Sequence, residues 1–187
     1  MSVFERLEAR RAVRSYIPKE VEKEKIESLL YAATLAPNDR MREPWSFYVI
    51  QGKAKKEYES LAYEYLQERF PTKPKLVDSS MKAVTQTPVI IVVTSDTLPK
   101  ASDSTDNEYA VCCAIHSMWL AAEEQGLGFV WRTRGVGLVH DERLHHFIGS
   151  PQDKKVVGTV FLGYPENSEG AEKKKQRTPF EEKTVWL

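Results

Sequence analysis

Three guanidiniums fall within one short stretch, Arg10-Arg11-Ala12-Val13-Arg14. Arginine presents planar, multidentate N–H donors that match phosphate oxygens, so this stretch is a candidate phosphate cradle. Charge runs also occur as solvated helix ends, and the residues alone leave both readings open. Further along comes Ala36-Pro37-Asn38-Asp39-Arg40-Met41-Arg42-Glu43-Pro44-Trp45, a proline-bounded loop between a helical pattern and an apolar run. A third segment, Trp131-Arg132-Thr133, ends a short strand, where connecting loops carry function. Its indole is either packing or the wall of a site.

Other chemistries find less support. His145 and His146 are neighbours that point different ways on a helix, and neither they nor His116 and His140 have zinc spacing, so no metal is expected. There is no Gly-x-Ser-x-Gly turn for a hydrolase nucleophile. Gly135-Val136-Gly137 lacks the third glycine of a dinucleotide fingerprint. Cys112 and Cys113 are the two cysteines and are adjacent, which excludes a disulfide framework and fits a reducing compartment. They read as small packing residues, with a redox-active vicinal pair as the alternative.

Composition narrows the partners. The 187 residues suit one domain spanning 1–187. Lys+Arg and Asp+Glu both number 27, so no overall field draws nucleic acid or an anionic membrane, and a phosphate ligand must be held by a local cluster. The apolar run Val89-Ile90-Ile91-Val92-Val93 is far short of the ~20 residues of a membrane helix. Met1 to Arg6 lacks the apolar core of a signal peptide. A cytoplasmic location is expected.

The elements that must position these residues follow from periodicity. Ser2 with Glu5 reads as a capping box opening a short helix that ends around the arginines. Ile26, Leu29, Leu30 and Ala33 mark an amphipathic helix running to about Leu35 and stopped before Pro37. Ser46 to Gln51 is strand-prone, and Tyr58, Leu61, Ala62 and Tyr65 repeat helical spacing. Pro71 and Pro74 punctuate a loop. Val89 to Thr94 is a strand buried on both faces, with Pro88 tolerated at its start. The Ser/Asp-rich stretch from Asp96 to Asn107 is expected to be a mobile loop. A long helix from Glu108 to Gln125 carries a large stripe (Val111, Ile115, Met118, Trp119, Ala122) and a small one (Ala110, Cys113, Ala114, Ser117, Ala121), so it should be buried on more than one side. Gly126 stops it. Phe129 to Arg132 is a strand, Asp141 to Phe147 a helix, and Val156 to Tyr164 a strand. Residues 168–187 form a Lys-rich linker, Ser168 to Arg177 with Lys173-Lys174-Lys175, and an apolar arm with Phe180, Val185, Trp186 and Leu187. Apolar residues at a terminus suggest docking onto a partner.

The arginine stretch, the Ala-Pro…Pro-Trp loop, Gly126-Leu127-Gly128-Phe129-Val130-Trp131-Arg132-Thr133 and Lys155-Val156-Val157-Gly158-Thr159-Val160-Phe161-Leu162-Gly163-Tyr164-Pro165 together resemble the nitroreductase-like flavoproteins, and most closely their shortest branch. The resemblance spans nearly the whole chain. It implies an α+β nitroreductase-like fold, with a mainly antiparallel central sheet flanked by helices, in an intertwined homodimer with an exchanged C-terminal arm. It implies FMN at the dimer interface and NADPH or NADH as co-substrate, with hydride passing through the flavin to a nitroaromatic or quinone-like acceptor. Chemistry would lie on the flavin, so no catalytic side chain is named. By the same resemblance Arg10, Arg11, Ala12 and Arg14 hold the flavin, as do Trp131, Arg132 and Thr133, with Leu35 and Asp39 reaching it from the other subunit. Nicotinamide-nucleotide binding maps to Ala121, Ala122, Glu123, Glu124, Gln125 and Gly126. Ala12 departs from the family, which usually has Ser there; a backbone N–H would have to replace the hydroxyl. The alternatives are a different flavin reaction on the same fold, such as dehydrogenation or reductive dehalogenation, or a flavin-binding sensor without turnover.

Overall fold

In chain order the elements are α1 (Val3–Ala9), α2 (Lys23–Thr34), β1 (Trp45–Ile50), α3 (Gly52–Arg69), α4 (Pro74–Thr85), β2 (Val89–Asp96), α5 (Ala101–Glu124), β3 (Gly128–Arg132), α6 (Glu142–Phe147) and β4 (Lys154–Gly163). Short 3₁₀ turns lie at Asp39–Met41, Gly135–Gly137 and Phe180–Lys183. This computed structural model describes residues 2–166 and 176–187; most of the expected linker, with Lys173-Lys174-Lys175, lies outside the described residues. The four strands form one antiparallel sheet in the order β1-β2-β4-β3.

The sheet is apolar on both faces because successive side chains alternate between them. From β2, Val89, Ile91 and Val93 face a core made with α2 and α5, while Ile90 and Val92 face a second core made with α3, α4 and α6. Strand β4 divides likewise, with Val160 and Leu162 on the first side and Phe161 on the second. Every β2 residue up to Ser95 is buried, as the unbroken β-branched run requires.

The expected elements are present, with three corrections. Helix α5 begins at Ala101, so the stretch expected to be a loop to Asn107 is mostly helix. Its polar first turns are solvated, Asp103 suits the positive end of the helix dipole, and the Ser104 hydroxyl accepts the Leu98 N–H at 2.7 Å. Pro74 starts a helix: it occupies the first turn of α4, where a missing N–H costs nothing. The small-residue stripe of α5 splits: Ala110 and Ala114 are buried, but Cys113 is exposed and Ser117 half-buried. One long face of α5, with Tyr109, Cys113 and His116, is open to solvent. The capping box of α1 forms as read, with the Ser2 hydroxyl accepting the Glu5 N–H and the Glu5 carboxylate accepting the Ser2 N–H.

Residues after α1 run extended beside the sheet. Val13 N–H donates to Phe129 O at 3.0 Å, and Ile17 N–H to Tyr164 O at 3.0 Å. Val13 comes so close that a Cβ on Gly128 would sit 2.6 Å from its Cγ1. Tyr16 locks the segment: its buried hydroxyl lies 2.7 Å from Val13 O and 2.9 Å from Phe161 O. Burial pushes its pKa well above the usual tyrosine range, so it stays a donor. Replacing Tyr16 by Phe leaves these carbonyls without that donor, which should cost about 1–3 kcal/mol. The expected signature is a lower denaturant midpoint at unchanged slope; an unchanged midpoint would mean the lock contributes nothing.

Candidate functional site

The extended segment carries the arginines past the C-terminal half of α5. The Arg10 guanidinium stacks 4.1 Å over the ring of Trp119, which itself stacks on Phe129 at 5.0 Å. Partial burial depresses the Arg10 pKa; Glu123 opposes this, and the positive charges of Arg177 and Arg11 add to it. Arg177, at the start of the C-terminal arm, therefore stands near Arg10. Sequence reading missed it as a site residue, since the only signal was a base just before the apolar arm. Arg11 turns the other way: its Nη1 donates to the carbonyls of Glu8, Ala9 and Arg10 at 2.5, 2.9 and 3.0 Å, capping α1, and its N–H donates to Glu123. The Ala12 N–H has no partner among the described residues. Arg14 is exposed, with Nη1 3.4 Å from Ala12 O.

Strand β3 delivers the second group. Trp131 lies against Gly158, where a Cβ would sit 1.9 Å from its indole nitrogen; only glycine leaves that room. Arg132 is half-buried, its guanidinium 4.6 Å over the ring of Phe161. Burial lowers its pKa, and the like charge of Arg14 lowers it further, which places the two guanidiniums near one another. The Arg132 Nε and the Trp131 Nε1 are both buried with no hydrogen-bond partner among the described residues. A buried donor on a cation is expensive unless something accepts from it. The two donors lie on opposite faces of the sheet, Trp131 on the α2/α5 side and Arg132 over Phe161 on the other, so Arg132, with Arg14 and the exposed Thr133, is the group that suits an anionic ligand.

Leu35 and Asp39 stand elsewhere. Both are exposed, and their loop is tied to the start of α5 through Arg42, which pairs with Asp39 at 3.3 Å and Asp103 at 3.6 Å and reaches Asn107. Asn107 and Trp119 are about 18 Å apart along α5 at 1.5 Å per residue. One chain therefore does not bring Leu35 and Asp39 to Arg10. The loop is also strained: Arg40, Met41 and Glu43 all have left-handed backbones, with φ of 52°, 52° and 47°. Such outliers gather at functional sites. Pro44 and Trp45 are buried and serve as packing.

The six residues from Ala121 to Gly126 form the end of α5. Gln125 N–H donates to the Ala121 and Ala122 carbonyls, and Leu127 N–H to Ala122 O at 2.9 Å. Gly126 takes the left-handed turn (φ +70°) that ends a helix. Glu124 pairs with Arg6 at 3.2 Å, and the Gln125 amide donates to the Ser28 hydroxyl at 3.0 Å. A helix C-terminus carrying Glu123 and Glu124 is a negative place, which disfavours a pyrophosphate. The cysteines are free thiols, and burial with the nearby Cys113 and Glu108 pushes the Cys112 pKa up, away from a reactive thiolate.

Known proteins share this fold. The family model described as "Nitroreductase family" matches residues 7–164. A nitroreductase-like family protein from Bacillus cereus superposes with a TM-score of 0.85 at 29% identity, covering 100% of this chain and 96% of that one. A nitroreductase from Bacteroides fragilis, whose structure holds bound FMN, gives a TM-score of 0.73 at 25% identity with 100% coverage of both chains. YdjA of Escherichia coli (strain K12), provisionally named an NAD(P)H nitroreductase, is 27% identical over 148 residues, 76% of this chain and 77% of its own. With the family model matched over most of its length and the fold shared end to end, the chain belongs to the nitroreductase family.

Proposed function

We propose that this protein is an FMN-dependent NAD(P)H oxidoreductase that reduces small nitroaromatic or quinone-type acceptors and works as a homodimer in the cytoplasm. The family and the FMN of the Bacteroides relative support the cofactor. The observation that carries the reading is the buried, partnerless Nε of Arg132 beside a second guanidinium, Arg14, in a chain with no net charge. When bound, FMN supplies the redox chemistry, accepting a hydride and passing electrons on.

The chain's own residues then divide the work. Arg10, with Arg177 near enough to depress its pKa, would hold the phosphate, and the Ala12 N–H would stand in for the hydroxyl of the usual serine. Arg14 and Arg132 hold positive charge where the reduced cofactor is negative. Trp131, on the α2/α5 face of the sheet, would wall the Arg10 side of the site, and Thr133 would offer a hydroxyl. Arg11 serves the same site indirectly, by fixing the turn between α1 and Arg10.

The dimer reading rests on separation and exposure. Leu35 and Asp39 lie toward one end of α5 and the arginines toward the other, so a second chain running antiparallel along the open face of α5 would unite them. Phe180 is 66% exposed and Trp186 88% exposed, so neither is packed on its own subunit.

Purified protein should be yellow, release FMN on denaturation, and oxidise NADPH or NADH with menadione or a nitroaromatic. A colourless preparation that fails to bind added FMN would sink the reading; bound flavin without turnover would favour a sensor.

Arg132→Met should separate site from fold. Removing a half-buried guanidinium whose Nε has no acceptor among the described residues, against the loss of its stacking on Phe161, should leave the flavin-free protein about as stable, while FMN binding weakens by roughly 1.5–3 kcal/mol. Equal losses in both would make Arg132 structural.

Deleting 178–187 removes Phe180, Val185, Trp186 and Leu187, and burial of each large apolar side chain is worth roughly 1.5–3 kcal/mol. Dimer stability and FMN retention should fall together in sedimentation and absorbance. A flavin-loaded monomer of the full chain would refute the shared site.

A further inference from the structure

An open cleft of about 520 Å³ lies between the end of α3 and the connection from β3 to α6. It begins at Arg134, one residue beyond Thr133. Its walls are Tyr65 and Phe70 from the α3 side and the buried Leu138 opposite, and its cations are Arg69 and Arg134. The backbone around it is fixed from below: Tyr58 OH donates to Val136 O at 2.7 Å and Thr159 Oγ1 to Gly137 O at 2.6 Å. Leu138 is held in a left-handed conformation (φ 54°), which a bulky side chain adopts only under constraint from its surroundings.

The charge balance of the cleft is decided by Arg143. Asp141 also lines the cleft, but its carboxylate is gripped by Arg143 through Nε at 2.8 Å and Nη2 at 2.9 Å, and it caps α6 through the Arg143 N–H. That pairing holds the Asp141 pKa below the usual carboxylate range. The same guanidinium takes both oxygens of Glu68 at 2.9 Å. Both nearby acids are thus engaged by one base that is not itself part of the lining, which leaves one negative charge of that group against the two positive charges of Arg69 and Arg134. Arg69 and Arg134 have no carboxylate partner among the described residues. Aromatic walls with uncompensated guanidiniums at the mouth suit a flat ring bearing an anion.

We infer that this cleft is the acceptor subsite and that it selects planar aromatic acids, with the ring between Tyr65, Phe70 and Leu138 and the carboxylate on Arg69 and Arg134. The inference rests on the flavin reading above, since Arg134 of the cleft follows Thr133 in the chain and Gly137, between the lining residues Gly135 and Leu138, packs against Arg132. For a nitro acid the step balances simply. The nitro group takes two electrons and one proton as the hydride of NAD(P)H and a second proton from solvent, and leaves as a nitroso group and water.

The test is calorimetric titration of the oxidised, full-length protein with 4-nitrobenzoate and with the neutral 4-nitrotoluene, without reductant. The acid should bind about tenfold tighter or more, the effect of a charge-assisted contact. The double variant Arg69→Gln/Arg134→Gln should erase that preference, and Arg69→Lys alone should keep most of it. Equal affinities in the native protein, or a preference that survives the double variant, would overturn the inference. So would displacement of the acid by 2′,5′-ADP, which would assign the cations to the dinucleotide. A yellow protein without acid preference refutes the subsite alone; a colourless one that still prefers the acid refutes the flavin reading and leaves the anion cleft standing.

Discussion

Burial of β2 on both faces is the constraint from which the other elements take their places. A run of β-branched side chains with no polar face must be covered twice. Helices α2 and α5 cover one side and α3, α4 and α6 the other. With four strands and β3 at the margin, the residues after α1 run beside that strand and the end of β4, pinned by Val13 and Tyr16. The arginine segment is therefore extended, lying where Trp131 and Arg132 leave the sheet. The site follows from how a two-faced sheet meets the N-terminal segment at its margin.

Electrostatics then gives that margin its character. The chain is neutral overall, so nothing steers anions to it from a distance. Locally the positions are unequal. Acids near the end of α3 are bound up by Arg143, and Glu123 is spent on the Arg11 N–H, whereas Arg14 and Arg132 stand together without such relief. Holding Arg132 with an unsatisfied Nε opposes folding by itself. A bound anion would relieve it, which links occupancy of the site to stability.

The sequence made the regular parts legible because periodicity reports burial: β2, the large stripe of α5 and the capping box of α1 all stand where their patterns put them. It failed where the deciding force is not local. The polar residues of 101–106 look like a loop, yet they extend a helix whose body is anchored in the core. Pro74 was a breaker by type and an initiator by position. Within the candidate site, Arg10, Arg14, Trp131 and Arg132 could be picked out by residue type and resemblance. Neither could show that Arg11 caps α1 or that Arg177 approaches Arg10, because both depend on the path of the chain in space.

Helix α5 works as a ruler as well as a core element. Its buried stripe fixes it against the sheet, and its length separates the strained loop at Arg40, Met41 and Glu43 from the arginine segment. On the proposed function, neither half would be a complete site within one chain. The open face between them carries Tyr109, Cys113 and His116, small enough in part for close approach and poor in formal charge. On the proposed two-fold arrangement, one set of contacts along that face would build two sites at once, each from the loop of one chain and the arginines of the other. Anything that loosens the pairing would then open both sites together, so cofactor retention and assembly become a single equilibrium rather than two.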